Sequence, residues 1–280
     1  MHPVRVVADL TQLVAGGENG GASRFALDLL AALAPRDAIE LQVIVRPDAA
    51  REVQPLAQLG ARVLITQAAG EIREPRFPLR LARRLPRPLA LCLPNIRTLR
   101  SLGADVLFSP LQSGAFHEPG LPHVAIAYDL QELSHPEHFD AIERRRRASF
   151  RADLARCARV VAISATTRDD LVERARLRFE RISVVHPAGP SQRVALDRST
   201  LSDGLAGLGL KPGDFALYPA NFWPHKNHVR LLRALATSPC RDDESFRLVL
   251  CGALGEKREG IQKLVSSLGL NRLVPLLPYQ

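Results

Sequence analysis

The sequence predicts an α/β protein built from two doubly wound parallel sheets, the second of them incomplete. Three observations carry this expectation. A strand, a glycine-rich loop, a helix and a second strand follow one another between residues 4 and 45. Strand and helix patterns then alternate as far as His186, the arrangement of a parallel sheet wrapped by helices. Pro and Gly gather between 187 and 214, and a new α/β series opens after them.

The first strand is the β-branched run Val4 to Ala8, ending at Asp9. The loop Gly16-Gly17-Glu18-Asn19-Gly20-Gly21 follows, then a helix with Ala26, Leu29, Leu30 and Leu33 on one face, stopped before Pro35. Further strands are expected at Glu40–Val45, Arg62–Ile65, Val106–Ser109, Val124–Tyr128, Val160–Ile163 and Ile182–His186. Between them, Ala141–Ala158 reads as a helix, and another starts at Ser164 or Thr166, either of which can cap it. Residues 1–190 are thus expected to form one domain, 191–213 a linker with a short helix, and 214–280 part of a second domain. In the latter, Phe215–Pro219, Phe246–Cys251 and Leu273–Leu277 read as strands, with helices at Asn227–Ala236 and Lys257–Leu268. Half a doubly wound sheet leaves an edge and a face uncovered.

Composition excludes several classes. With 280 residues, 46% hydrophobic and 24% charged, the chain is globular rather than disordered or low in complexity. The four cysteines, at 92, 157, 240 and 251, form no CxxC and read as small buried hydrophobes in a reducing compartment. The N-terminus lacks the pattern of a signal peptide, and no apolar run is long enough for a membrane-spanning helix. The net charge is +9, and 34 of the 38 cationic residues are arginine. Arginine bias reflects genome composition, or else an anionic partner. Aromatic residues are only 5% and are not interleaved with basic stretches, which argues against single-strand nucleic-acid binding.

Four segments could carry chemistry. The glycine loop could let backbone N–H groups approach a phosphate. Its GGxxGG pattern is neither GxGxxG nor a P-loop, and alone it reads rather as a tight turn. Tyr218-Pro-Ala-Asn-Phe-Trp-Pro-His-Lys-Asn-His228 lies where a strand gives way to a helix and holds the single Trp and one of four lysines. Lys226 there would face a phosphate beside helix N–H donors. Pro224 and Asn227 also suit a plain turn and cap. His225 and His228 have no Cys or carboxylate with them to complete a metal set. Asp129, after a strand and before His135, Glu137 and His138, could orient a sugar hydroxyl or equally cap the next helix. The arginines at 73, 76, 80, 83, 84, 87, 97 and 100, and those at 144–147, 151, 156 and 159, could lie on anionic lipid or form a solvated face. No nucleophile elbow and no Cys–His pairing is evident.

These segments, taken in order, resemble a GT-B glycosyltransferase, in particular the retaining, nucleotide-sugar-dependent glycosyltransferase group 1, family 4. Gly20-Gly21-Ala-Ser-Arg-Phe with Leu29 to Leu33 resembles that family's GG-x-x-R-[YF] loop and helix. Tyr128-Asp129-Leu130 with His135-Pro-Glu-His-Phe139 is similar to its HDL…hPe-f segment. Ala162 to Leu171, continuing to Val185, resembles the close of its first domain, and Phe222-Trp-Pro-His-Lys-Asn-His228 its K-N or K-G segment. Two departures stand out. Tyr128 replaces the family's His, and no E-x7-E segment occurs before Gln280.

The resemblance implies a GT-B-like fold of two Rossmann-like domains, the second cut short. It implies that Lys226, with Asn221 and Asn227, meets the donor diphosphate, that Gly20 and Gly21 bring backbone N–H groups to it, and that Asp129 lies near sugar or acceptor. Lys226 and Asp129 would carry the chemistry, with no metal and no cofactor beyond a UDP- or GDP-linked sugar as substrate. The implied activity is hexosyl transfer, with retention, to a glycan or polyisoprenoid-linked acceptor in envelope or exopolysaccharide synthesis. The protein would be cytoplasmic, with peripheral membrane contact through the Arg-rich surface and no nucleic-acid partner. The alternative is a catalytically incompetent remnant of that fold acting as a binding or membrane-associated module. A sugar-nucleotide epimerase on the same fold finds no supporting motif.

Overall fold

The computed structural model describes residues 2–15, 20–66, 98–189, 204–252 and 256–278. Cys92, the arginines at 73–97, residue 190 and residues 191–203 of the expected linker lie outside them. The described residues group into two compact units. One comprises those within 2–15 and 21–189, the other Gly20 with those from 204 onward.

The first unit holds seven strands: β1 (Val4–Asp9), β2 (Ile39–Val45), β3 (Arg62–Ile65), β4 (Val106–Ser109), β5 (His123–Ala127), β6 (Arg159–Ala162) and β7 (Ile182–Val184). They form one parallel sheet in the order β3-β2-β1-β4-β5-β6-β7. Strand order reverses between β1 and β4, so the carboxyl edge of those strands is where a doubly wound sheet takes ligands. Side chains alternate across the sheet. Val7 joins Ile44, Leu99 and Leu107 on one face, whereas Ala8 joins Val43, Val45 and Phe108 on the other. Both faces are apolar, as a parallel sheet covered on both sides requires.

Helix α1 (Gly21–Leu33) buries Ala26 and Leu30. Helix α2 (Ala141–Leu154) starts on Asp140, which accepts the Glu143 N–H at 2.8 Å. It ends four residues before the expected Ala158. Arg156 and Cys157 donate to the Asp153 and Leu154 carbonyls in a closing turn, because the chain must extend into β6 at Arg159. Helix α3 (Ala165–Glu173) is capped by Ser164 rather than Thr166, its hydroxyl accepting the Thr167 N–H at 3.0 Å.

The second unit holds β8 (Phe215–Pro219), β9 (Arg247–Gly252) and β10 (Leu276–Pro278), parallel in the order β10-β9-β8. Helices α4 (His228–Ala236) and α5 (Glu256–Ser267) complete it. Leu232, Leu250, Val265 and Leu270 are fully buried in its core. The last strand was expected at Leu273–Leu277 and begins three residues later. Leu273 and Val274 are spent in a turn onto the Leu270 carbonyl. No described helix is long and apolar enough to cross a membrane.

Two expectations about cysteine fail. Cys157 is buried, but Cys240 is exposed and Cys251 only partly covered. A Cys–His pairing does exist: the Cys157 Sγ lies 3.5 Å from His123 Nδ1, and His123 Nε2 lies 2.9 Å from the Ser109 Oγ. The partners are 34 residues apart in sequence, so no local pattern reveals them. The group is not a nucleophile. Burial pushes the thiol up to about 12, with Asp153 adding to the effect, and a thiol so protonated is inert.

Burial lowers the His123 imidazole to about 4, the charge of His117 adding to it. Unfolded, the same ring titrates near 6.5. Stability from the neutral buried ring is therefore whole above pH 6.5 and is lost as pH falls towards 4. In denaturant unfolding, wild type loses up to about 3 kcal/mol more than His123→Gln between pH 7 and pH 4. Parallel pH profiles for the two proteins would contradict this account.

Candidate active site

In the second unit, β8 and β9 end side by side. The Ala220 N–H donates to the Cys251 carbonyl at 2.8 Å, extending the ladder one residue past β8. The chain there passes so close to Gly252 that a Cβ on Gly252 would lie 2.5 Å from the Ala220 carbonyl oxygen and 3.1 Å from the Asn221 Cα. Only glycine permits that approach. Phe222 is buried, and Pro224–Lys226 make one 3-10 turn. Tyr218 locks the turn from below, its hydroxyl donating to the Lys226 carbonyl at 2.7 Å.

Asn227 then adopts a left-handed conformation, φ 54°, and its side-chain oxygen accepts the Arg230 N–H at 3.4 Å, capping α4. The turn-and-cap role weighed for this residue is thus present. Lys226 is exposed and makes no ion pair among the described residues. His228 is buried with its ring against Tyr218 and Phe222, centroids 5.1 and 4.9 Å away. Burial lowers its pKa against the opposing effect of a bond with the Ala220 backbone. The ring of His228 is core packing. Within this unit Gly20 lies beside the turn: a Cβ there would be 3.6 Å from the Asn221 amide nitrogen and 3.9 Å from the Trp223 ring. Its φ of 60° suits glycine. The arrangement combines a cation, backbone N–H groups at a helix start and a close-packed glycine, which is how proteins receive phosphate oxygens.

In the first unit, Gly21 opens α1, and Asp129 follows β5 at the sheet's carboxyl edge. One Asp129 oxygen accepts the Gln131 N–H at 3.2 Å and Arg147 Nη1 at 2.8 Å. The other has no partner among the described residues, and the side chain is 47% exposed. Asp129 is therefore fixed on one side and open on the other. Arg147 is the residue that fixes it. Its guanidinium also meets Glu143 at 2.9 Å and stacks 4.5 Å over the Phe139 ring. Beside it, Arg151 pairs with the buried Glu132 at 2.5 Å.

Sequence reasoning assigned Arg147, Arg151 and Arg156 to a basic surface. The structure turns Arg147 and Arg151 inward onto Asp129, Glu132 and Glu143, while Arg156, itself exposed, pairs with the buried Asp153. Arg159 likewise bonds the Glu180 carbonyl. Arg144 and Arg145 do remain exposed.

Tyr128 fills the place of a histidine. Its hydroxyl donates to the Pro110 carbonyl at 2.8 Å and reaches the Ala22 carbonyl at 3.4 Å, and burial pushes its pKa up. A phenol so engaged supports the site rather than facing a ligand. Asp9, noted only as a strand end, is fully buried at the end of β1. Its carboxylate takes the Thr11 N–H at 2.9 Å and hydroxyl at 2.6 Å. Burial raises its pKa, with Ser113 and Thr11 working the other way. An acid ending β1 beside the switch point was the signal available for it.

Comparison with known proteins bears on the fold and the family. Over 98% of this chain and 70% of its own, the structure of WaaG, a glycosyltransferase involved in lipopolysaccharide biosynthesis, matches with a TM-score of 0.64 at 14% identity. Anabaena HepE, solved in complex with UDP and glucose, matches over 99% of this chain and 70% of its own, TM-score 0.65 at 18% identity. The UDP-GlcNAc 2-epimerase of Neisseria meningitidis, bound to UDP-GlcNAc, matches over 99% and 72%, TM-score 0.58 at 13% identity. Identities this low speak for the fold alone, a GT-B fold. No curated protein sequence matches the chain. Residues 19–189, from the glycine loop through β7, match the family described as Glycosyltransferase Family 4. The chain belongs to Glycosyltransferase Family 4.

Proposed function

We propose that the protein transfers a hexosyl group, with retention, from a UDP- or GDP-linked sugar to a glycan or polyisoprenoid-linked acceptor in envelope or exopolysaccharide synthesis. The observation that carries this reading is the exposed Lys226 ammonium, which has no ion pair among the described residues, on a turn fixed by Tyr218 at the start of a nine-residue helix. The donor class is supported by HepE, which was solved with UDP-glucose.

In this reading Lys226 meets the diphosphate and neutralises the charge that grows on it as the sugar leaves. The bond between the anomeric carbon and the diphosphate oxygen breaks. A bond from the acceptor oxygen forms on the same face, and the acceptor proton passes to the departing phosphate. Asn221, Asn227 and the backbone at Gly20 and Gly21 hold the phosphates, and the open oxygen of Asp129 accepts a hydroxyl of sugar or acceptor. The protein works on the cytoplasmic side. Arg144, Arg145 and the 83% exposed Ile142 on α2 make its peripheral contact with anionic lipid.

Calorimetry tests the donor site. UDP or GDP binds wild type, and Lys226→Ala weakens that binding by about tenfold or more, about 1.4 kcal/mol. Equal affinity in the two proteins would refute the role of Lys226. Gly252→Ala pushes Ala220 and Asn221 away from β9. It lowers stability by about 1–3 kcal/mol in thermal unfolding and weakens nucleotide binding although residue 252 carries no polar group. Asp129→Asn lowers kcat/KM for transfer by about tenfold or more while leaving nucleotide affinity within about twofold.

A further inference from the structure

Apart from the groups above, one cluster of metal-ligating side chains stands out among the described residues: His135, Glu137 and His138, in the loop between β5 and α2. Pro136–His138 form a single 3-10 turn, with His135 as the residue before it. Residues three apart eclipse one another in that geometry. The two imidazoles accordingly stack, with 5.5 Å between centroids and 28° between planes. Glu137 lies against both. Its Oε1 is 3.3 Å from His135 Nδ1 and 3.9 Å from His138 Nε2. One ligand atom from each residue falls within 4.8 Å of the other two.

Those separations are close to a coordination sphere. Nitrogen and oxygen ligands about 2.0–2.2 Å from a tetrahedral zinc ion lie roughly 3.4 Å from one another. His135 and Glu137 are exposed and His138 is partly exposed, so water can reach an ion held by all three. Two imidazoles and one carboxylate suit a borderline transition cation. Calcium and magnesium call for oxygen ligands throughout. Because the ligands span four consecutive residues, little chain entropy is lost in gathering them.

We propose that His135, Glu137 and His138 bind a divalent transition cation, zinc first, with water completing the sphere. The ion clamps the turn that follows Asp129 and takes no part in glycosyl transfer, so the site stands or falls independently of the proposed reaction.

Zinc chloride titrated into metal-stripped protein tests it. Calorimetry is expected to show one equivalent bound, and the melting temperature to rise with zinc. His135→Gln, Glu137→Gln and His138→Gln each weaken the binding by about tenfold or more, the range in which changes around a metal act. His2→Gln and His186→Gln, elsewhere on the surface, leave it unchanged, as does an excess of magnesium. Circular dichroism confirms that every variant is folded. The proposal is overturned if wild type takes up no zinc, or if the three site variants bind it as wild type does.

Discussion

The phenol of Tyr128 ties together the parts of the first unit that meet at the carboxyl edge of its sheet. It reaches the chain leaving β4 at Pro110 and the first turn of α1 at Ala22, while its ring packs edge-on against Phe25 at 6.1 Å. Its own carbonyl accepts the Thr167 hydroxyl at 3.0 Å, which fixes the start of α3. A buried hydroxyl or carbonyl left without such a partner costs about 1–3 kcal/mol. One residue therefore sets where two helices begin, and with them the backbone at Gly21. Asp129, the next residue, inherits its position from the same knot.

The fold was legible because its signals are local. Short apolar, β-branched runs marked every strand of the first sheet to within two residues at either end, and Ser164 and Asn227 are the caps their chemistry suggests. Errors fell where a distant partner decides. The early end of α2 follows from the extended chain β6 requires, and the delayed start of β10 from the turn onto Leu270. The family was legible as well, since the segments around Gly20, Gly21 and Asp129, within the matched residues 19–189, are short contiguous patterns.

The supporting residues were not legible, for a physical reason. Arg147 lies 18 residues from Asp129, in a run of four arginines that looks like one solvated face. Helical periodicity sends one of the four inward and leaves its neighbours in water. Gly252 gave no signal, because the close approach that demands glycine is made by a segment 32 residues earlier. His123 and Cys157 illustrate the converse. They bring nucleophile chemistry together in space while burial removes its reactivity. The net charge of +9 misled in the same way. Much of the arginine on α2 is spent on carboxylates within the fold, so charge counted along the chain overstates what a partner meets.

The left-handed backbone at Asn227 explains a regularity that ligand chemistry does not. Asn and Gly are the residues that adopt this conformation at least cost. The segment this stretch resembles carries Lys followed by either one. The choice at that position is thus governed by a backbone angle that must reverse the chain between the turn bearing Lys226 and helix α4. Asn adds a cap that Gly lacks, and Gly relieves the strain that Asn bears, so the two are near-equivalent solutions to one geometric demand. Sequence drift between them is then a change of hinge material, neutral to the phosphate chemistry next to it.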